Sequence, residues 1–413
     1  MKRLAFLHYA GPPTVGGVEL TLAHHARELA KNGYAIRIVA GSGGPTPHAE
    51  THLDPLFSAT HLEVLQLKRS LDSGHVPDGY PDMVARCRAA LITAFAGCDA
   101  VVAHNLPTFN KHLALSHALY ELCAGGHIRL IAWVHDIAWT NEQYLPELHD
   151  KWPYTLLREV WPKTRYVTVS DPRQAELAAL IGLPPEAIRV IPPGIDPAGF
   201  GRWTALAVTL AERLSLLESD GVLLLPARIT RRKNIELAVR VLAELRAQSG
   251  ADYRLVVTGP PGPHNPANPG YLGELLALRE QLGLTQSVHF LYAEGEAGQT
   301  LVSDDDTVAS LYNLADALFF PSLQEGFGIP ILEAGLARLP IFCADIPPLR
   351  ATGAPYAHFF DPQQADPAII AAQVLAVLNA DSAFGLRRRT LRHYRWAALI
   401  RERLIPLLQE VLR

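Results

Sequence analysis

Ala317-Leu-Phe-Phe-Pro321-Ser-Leu-Gln-Glu325-Gly-Phe-Gly-Ile-Pro330-Ile-Leu-Glu333-Ala-Gly335 decides how the rest of the chain is read. Its first five residues form an apolar run of a length that suits a buried strand, the glycines mark a turn, and Pro330 has the fixed φ favoured at a first helical position. Strand, turn and helix N-terminus therefore meet at one point. Free amides of Gly326, Phe327 and Gly328 face a polar ligand there, with Glu325 in the turn and Glu333 further along the helix. Two carboxylates around such a turn can accept hydrogen bonds from neighbouring hydroxyls, which suggests a sugar nucleotide. The plainer alternative is a strand-to-helix loop with one solvated Glu and one Glu near the positive helix end.

Outward from this stretch, strand-like apolar runs alternate with helical patterns, as in parallel sheets covered by helices. One series occupies residues 4–8, 35–40, 100–104, 130–135 and 166–170, with helical spacing over 18–30 between the first two. A second occupies 222–226, 253–258, 288–291, 317–321 and 340–343. Each series predicts one Rossmann-like domain. Val190-Ile-Pro-Pro-Gly-Ile-Asp-Pro197 ends a strand and cannot continue as a helix, so the hinge belongs there. The expected division is 1–195, 196–395 and a helix over 396–413 that packs back on the first domain. Proline and glycine make 260–270 a loop.

With 413 residues, two or three domains are expected. The net charge of −4 argues against a general nucleic-acid binder. Residues 1–9 are too short an apolar stretch for a signal peptide and no run approaches a membrane span, which sets a cytoplasmic expectation. Cys87, Cys98, Cys123 and Cys343 lack metal-like or disulfide-like spacing and read as reduced structural thiols. The basic run from Arg387 to Arg395 leaves room for peripheral membrane contact, although the balanced charges of the first helix favour a soluble acceptor.

The strand ending at Pro226 runs into Ala227-Arg228-Ile-Thr-Arg-Arg-Lys233-Asn234. A guanidinium and an ammonium at the carboxyl end of a parallel strand suit a diphosphate, so Arg228 and Lys233 are candidates; Arg231 and Arg232 read as solvated. Gly11-Pro-Pro-Thr-Val-Gly16-Gly17-Val-Glu19 allows close backbone approach before the first helix. It is not GxGxxG, and Ile36-Arg-Ile-Val-Ala-Gly-Ser42 lacks the acid that would hold an NAD ribose. Asp304-Asp-Asp306 reads as a helix cap rather than a metal motif.

Taken together, these residues resemble the GT-B glycosyltransferases of family 4. Glu325 and Glu333 fit the family's E-x7-E pattern, Arg228 and Lys233 its paired basic positions, and Gly16 and Gly17 its N-terminal glycine loop. Val190 to Asp196 resembles its interdomain segment, and Val134-His135-Asp136 its strand-end His-Asp. The resemblance implies two Rossmann-like domains facing each other across a cleft and a retaining, metal-independent transfer of a hexosyl group, mannosyl or glucosyl. A GDP- or UDP-sugar serves as co-substrate, and no cofactor or metal is required. In that frame Arg228, Lys233, Glu325 and His135 are catalytic. Gly16, Gly17, Gly326, Phe327, Gly328 and Ile329 help hold the donor, with Glu333 on the ribose and Glu325 on the sugar. The sequence departs from the pattern at Ala227, where relatives carry glycine, and at Leu349-Arg-Ala351, which lacks a frequent glutamate.

His104, Asn105 and Trp139 are acceptor-binding candidates because they follow or occupy strand-end segments of the first half. Each also has a plainer reading as a capped strand end or core residue. Tyr292-Ala-Glu294 is expected to border the nucleobase. A nucleotide-sugar epimerase or hydrolase, or a noncatalytic nucleotide-sugar binding protein, remains an alternative on the same architecture.

Overall fold

The computed structural model describes residues 1–262, 268–295 and 299–413. It divides into two units, Met1–Gly194 with Tyr394–Arg413, and Ile195–His393. The part of the loop expected over 260–270 that spans 263–267 lies outside the described residues. A helix, Asn268–Gln281, already occupies the end of that range.

The first unit is a seven-stranded parallel sheet of β1 (Arg3–His8), β2 (Ala35–Ala40), β3 (Glu50–Leu53), β4 (Ala100–His104), β5 (Leu130–Val134), β6 (Thr164–Thr168) and β7 (Ile188–Val190). Their spatial order is β3-β2-β1-β4-β5-β6-β7. The order reverses between β1 and β4, which opens a crevice at the carboxyl ends of those strands. β4 and β5 are buried throughout, as parallel strands covered on both faces should be. The polar edge strand β3 is largely solvated and carries no apolar alternation, so its pattern is that of a loop.

Both faces of this sheet are covered. The helix Gly17–Lys31 contributes Leu22, Ala26 and Leu29 to a core shared with Ile400, Leu404, Leu407 and Leu408 of the returning C-terminus. Each fully buried aliphatic side chain of this kind contributes roughly 1.5–3 kcal/mol, which fixes the final segment on the first sheet. The segment is helical over Trp396–Leu399 and Ile405–Val411, with one wide turn, Ile400–Leu404, between them. Pro406 has no amide to donate to the preceding turn, and the wide turn absorbs that break. Gly194 lets this segment approach, since a Cβ there would stand 2.6 Å from the Trp396 ring.

The second unit holds six parallel strands, β8 (Gly221–Leu225), β9 (Tyr253–Val257), β10 (Val288–Phe290), β11 (Ala317–Phe320), β12 (Ile341–Ala344) and β13 (His358–Phe360). Their order is β10-β9-β8-β11-β12-β13, so the reversal falls between β8 and β11. Both units are thus Rossmann-like. Asp316, just before β11, accepts from the Val222 amide at 2.8 Å and from Arg388, both side chains being nearly inaccessible. Arg387 donates to the Asn313 carbonyl and Arg392 pairs with Asp220. The basic run is drawn to that extent into the ion pairs and hydrogen bonds of its own unit.

Asp304 caps the helix Asp305–Leu314, accepting from the Thr307 amide at 2.8 Å. Cys87, Cys123 and Cys343 are buried and Cys98 is half-buried, all as free thiols; burial pushes Cys87 and Cys343 up to about 12. Among the described residues no single helix is long and apolar enough to cross a membrane.

Candidate active site

In the second unit, two loops leave the sheet side by side because β8 and β11 are neighbours, with Leu318 opposite Leu224. After β8 the chain passes Arg228 and makes a tight turn over Arg231–Lys233, then enters the helix Ile235–Ser249 through Asn234 in the left-handed region. After β11 the chain runs through Glu325 to Gly328, whose φ of 99° only glycine adopts readily, and then into the helix Ile329–Leu336. Ile329 takes the first helical position and Pro330 the second, one later than the sequence suggests, because Gly328 serves as the cap. The Leu323 amide donates to the Arg232 carbonyl at 2.8 Å and ties the loops together.

Glu325 lies between the two loops with its side chain 10% exposed. One carboxylate oxygen accepts from Lys233 Nζ and the other from Arg232 Nη1 at 3.3 Å. Lys233 is itself buried, 4.8 Å above the Phe320 ring. Burial pulls its ammonium below the ordinary value more than the Glu325 carboxylate raises it. Arg228 is exposed and makes no ion pair among the described residues. Glu333, on the exposed side of its helix, accepts from the Tyr312 hydroxyl at 2.6 Å. Burial, with Glu333 second, pushes the Tyr312 hydroxyl well above its ordinary value, so it remains a donor.

Arg232 is exposed, as a solvated loop cation should be, and it also touches Glu325. It reaches the Gln324 carbonyl at 3.0 Å as well as Glu325, because the turn over Arg231–Lys233 directs successive side chains to different sides. Arg231 is exposed too, pairing with Glu274 and lying over Tyr271. Neither Arg232 nor Tyr312 is signalled by spacing. Glu294, after the edge strand β10, is held near His289, whose hydrogen bond lowers its carboxyl.

In the first unit, the reversal between β1 and β4 gathers a set of histidines. His8 at the end of β1 places Nδ1 3.1 Å from the His104 carbonyl and Nε2 4.0 Å from Glu19. His135, just past β5, places Nε2 3.0 Å from His104 Nδ1. Asn105 has a φ of 65°, and its side-chain oxygen accepts from the amides of His135 at 2.8 Å and Asp136 at 3.0 Å. Its amide nitrogen donates to Asp136 at 3.1 Å. Burial lowers His135 to about 4 and takes His104 well below its ordinary value, so both imidazoles are neutral at pH 7.

Two of the three acceptor-side candidates take the strand-end role that is their plainer reading. His104 is fully buried and Asn105 is 4% exposed, so their contacts are to protein rather than to a ligand. They support the strand-end loop instead. Trp139 is half-buried with its indole donating to the Tyr154 carbonyl at 3.1 Å and Arg158 over its ring. Gly16, with an extended φ of −178°, precedes the helix Gly17–Lys31, and Gly17 is exposed at its first position. Among the described residues no group of three His, Cys, Asp or Glu side chains is placed to hold a metal ion.

Two family models match the chain, "Glycosyltransferase Family 4" over residues 15–198 and "Glycosyl transferases group 1" over 211–390. The chain belongs to the GT-B glycosyltransferases of family 4. Among curated relatives of this family 4 chain, the D-inositol 3-phosphate glycosyltransferase of Stackebrandtia nassauensis is 27% identical over 82% of the chain and 74% of its own length. That of Kineococcus radiotolerans is 32% identical over 45% of the chain and 40% of its own. The mannosylglucosylglycerate synthase of Petrotoga mobilis is 25% identical over 62% of each. The chain spans less than two thirds of the last two relatives. Sucrose-phosphate synthase from Thermosynechococcus elongatus aligns at 17% identity over 100% of the chain and 99% of its own with a TM-score of 0.40, a likeness too low to add to the strand order.

Proposed function

We propose that this family 4 glycosyltransferase moves a hexosyl group, mannosyl or glucosyl, from a nucleoside diphosphate sugar to an acceptor hydroxyl with retention of anomeric configuration and without a metal. The observation that carries the reading is the Lys233–Glu325–Arg232 cluster, with Arg228 on the same loop, at the β8/β11 reversal. A diphosphate brings charge that Arg228 and Lys233 can meet, which frees oxygens of Glu325 to accept from sugar hydroxyls. Glu333 takes the ribose hydroxyls, its other contact being the fixed Tyr312 donor. The amides of Gly326, Phe327, Gly328 and Ile329 lie at the start of the adjacent helix and suit sugar oxygens. In the first unit, Gly16 and Gly17 leave backbone amides for ligand oxygens, and His135 offers a ring nitrogen to the transferred sugar or the acceptor.

The donor is a UDP- or GDP-sugar. Relatives named for transfer to D-inositol 3-phosphate and for synthesis of mannosylglucosylglycerate support a small hydroxylated acceptor. In the reaction the bond from the sugar carbon to the diphosphate oxygen breaks, and the acceptor oxygen bonds the same carbon from the same face. The acceptor proton passes to the departing diphosphate. Arg228 and Lys233 stabilise the charge that develops there. Glu325, with both oxygens against cations, has a binding role rather than that of a covalent nucleophile.

Proton NMR of the glycoside formed from an α-linked donor tests this reading through the coupling at the new anomeric centre. The expected product is the α-anomer; a β-anomer excludes the same-face route.

A further inference from the structure

Behind His135 lie four rings that touch no ligand in this reading: His104, His25, Trp133 and Phe6, each at most 1% exposed. His104 lies parallel to Trp133, with ring centres 5.5 Å apart at 19°, and 6.0 Å from Phe6. Its Nδ1 is 3.0 Å from His135 Nε2, whereas its own Nε2 is shut off from solvent with no hydrogen-bond partner.

That orphaned nitrogen decides where the proton sits. A neutral imidazole carries one N–H. With the proton on Nε2 of His104, a donor is buried against aromatic rings with nothing to accept it. With the proton on Nδ1, only a bare lone pair is left there, and the N–H is used. Buried orphan donors are the rarer defect, because a buried N–H without an acceptor gives up its water and gains no bond in return. We infer that His104 is a positioning residue that donates Nδ1–H to His135 Nε2, holding His135 in the tautomer whose proton is on Nδ1, as a hydrogen-bond donor to an oxygen of the bound sugar substrate.

The rest of the loop fits that role. His135 Nδ1 makes no hydrogen bond among the described residues, so it is available to a ligand. Asn105 holds the His135 backbone amide at 2.8 Å, and His8 Nδ1 meets the His104 carbonyl, so ring and backbone are fixed together. Burial keeps both imidazoles uncharged near neutral pH, which a single shared proton requires. The inference rests on His135 meeting the sugar, but the tautomer itself does not.

The test uses the full chain labelled with 15N in histidine, with His104→Asn and His104→Phe variants. Asparagine keeps an N–H near the place of Nδ1, whereas phenylalanine keeps the ring and its stacking but has no donor. In the wild type, the ring-nitrogen shifts should show His135 Nε2 unprotonated and Nδ1 protonated. His104→Phe should mix the two tautomers and lower kcat by about 10- to 100-fold, with little change in donor KM. His104→Asn should retain kcat within about fivefold. Protonated Nε2 on wild-type His135, or equal kcat losses in the two variants, overturns the inference. If His104→Phe fails to fold, the wild-type shifts and the asparagine variant still decide it. The shifts are read without substrate, so they identify the tautomer even if the chain transfers no sugar.

Discussion

Lys233→Ala should lower kcat by about 100- to 1,000-fold, the loss expected when a fixed cation at a departing charge is removed. The fold should persist. Glu325 keeps its contact to Arg232 in that variant, so no carboxylate is left buried without a partner. Glu325→Ala should reduce turnover by a similar factor for a different reason. It removes the acceptor for sugar hydroxyls while leaving Lys233 to the diphosphate. The two variants should therefore separate in calorimetry with a nucleoside diphosphate lacking the sugar: Lys233→Ala weakens binding, and Glu325→Ala does not. Near-normal turnover in either variant, with circular dichroism unchanged, contradicts the placement of the site.

Acidification should unfold the first unit before the second, as pH falls from about 6.5 towards 4. His8, His25, His104, His112 and His135 all lie in the first unit, and burial lowers each, to about 3 for His25 and about 4 for His112 and His135. Their folded values lie below the unfolded value of 6.5. Between the two, the unfolded chain binds more protons than the folded one, so stability is complete above about pH 6.5 and falls as pH drops towards 4. All five histidines act in the same direction, so their losses reinforce one another over that range. Paired carboxylates such as Glu147 and Asp252 have lowered values and add losses only at lower pH.

Tryptophan emission separates the units. Trp133, Trp139, Trp152, Trp161 and Trp396 belong to the first, and Trp203 alone belongs to the second. The emission change should precede most of the loss of helical circular dichroism. A single coincident transition below pH 4 would show that the buried histidines do not govern acid stability.

The sheet strands are legible in the sequence where both faces are buried. Runs such as Ala100–His104 and Ala317–Phe320 are continuous in apolar residues because helices cover both sides. The edge strands are not. Glu50–Leu53 is polar and partly solvated, and His358–Phe360 is only three residues long. Arg228, Lys233 and Glu325 can be picked out because they follow the ends of readable strands, and Glu333 because it lies in the helix that Gly328 and Pro330 mark. Arg232 is hidden by its neighbours, since a basic run does not reveal which cation turns towards Glu325. Tyr312 reaches Glu333 from a separate helix, a meeting created only by packing. His104 reads as an accessible strand end from its place in the sequence. Its burial depends on Trp133 and His135, which β5 brings alongside β4.

A co-crystal structure with a nucleoside diphosphate tests the donor site most directly. The expected result is the diphosphate against Arg228 and Lys233, with the ribose hydroxyls on Glu333. A nucleotide bound elsewhere, with these three side chains remote from it, would contradict that assignment.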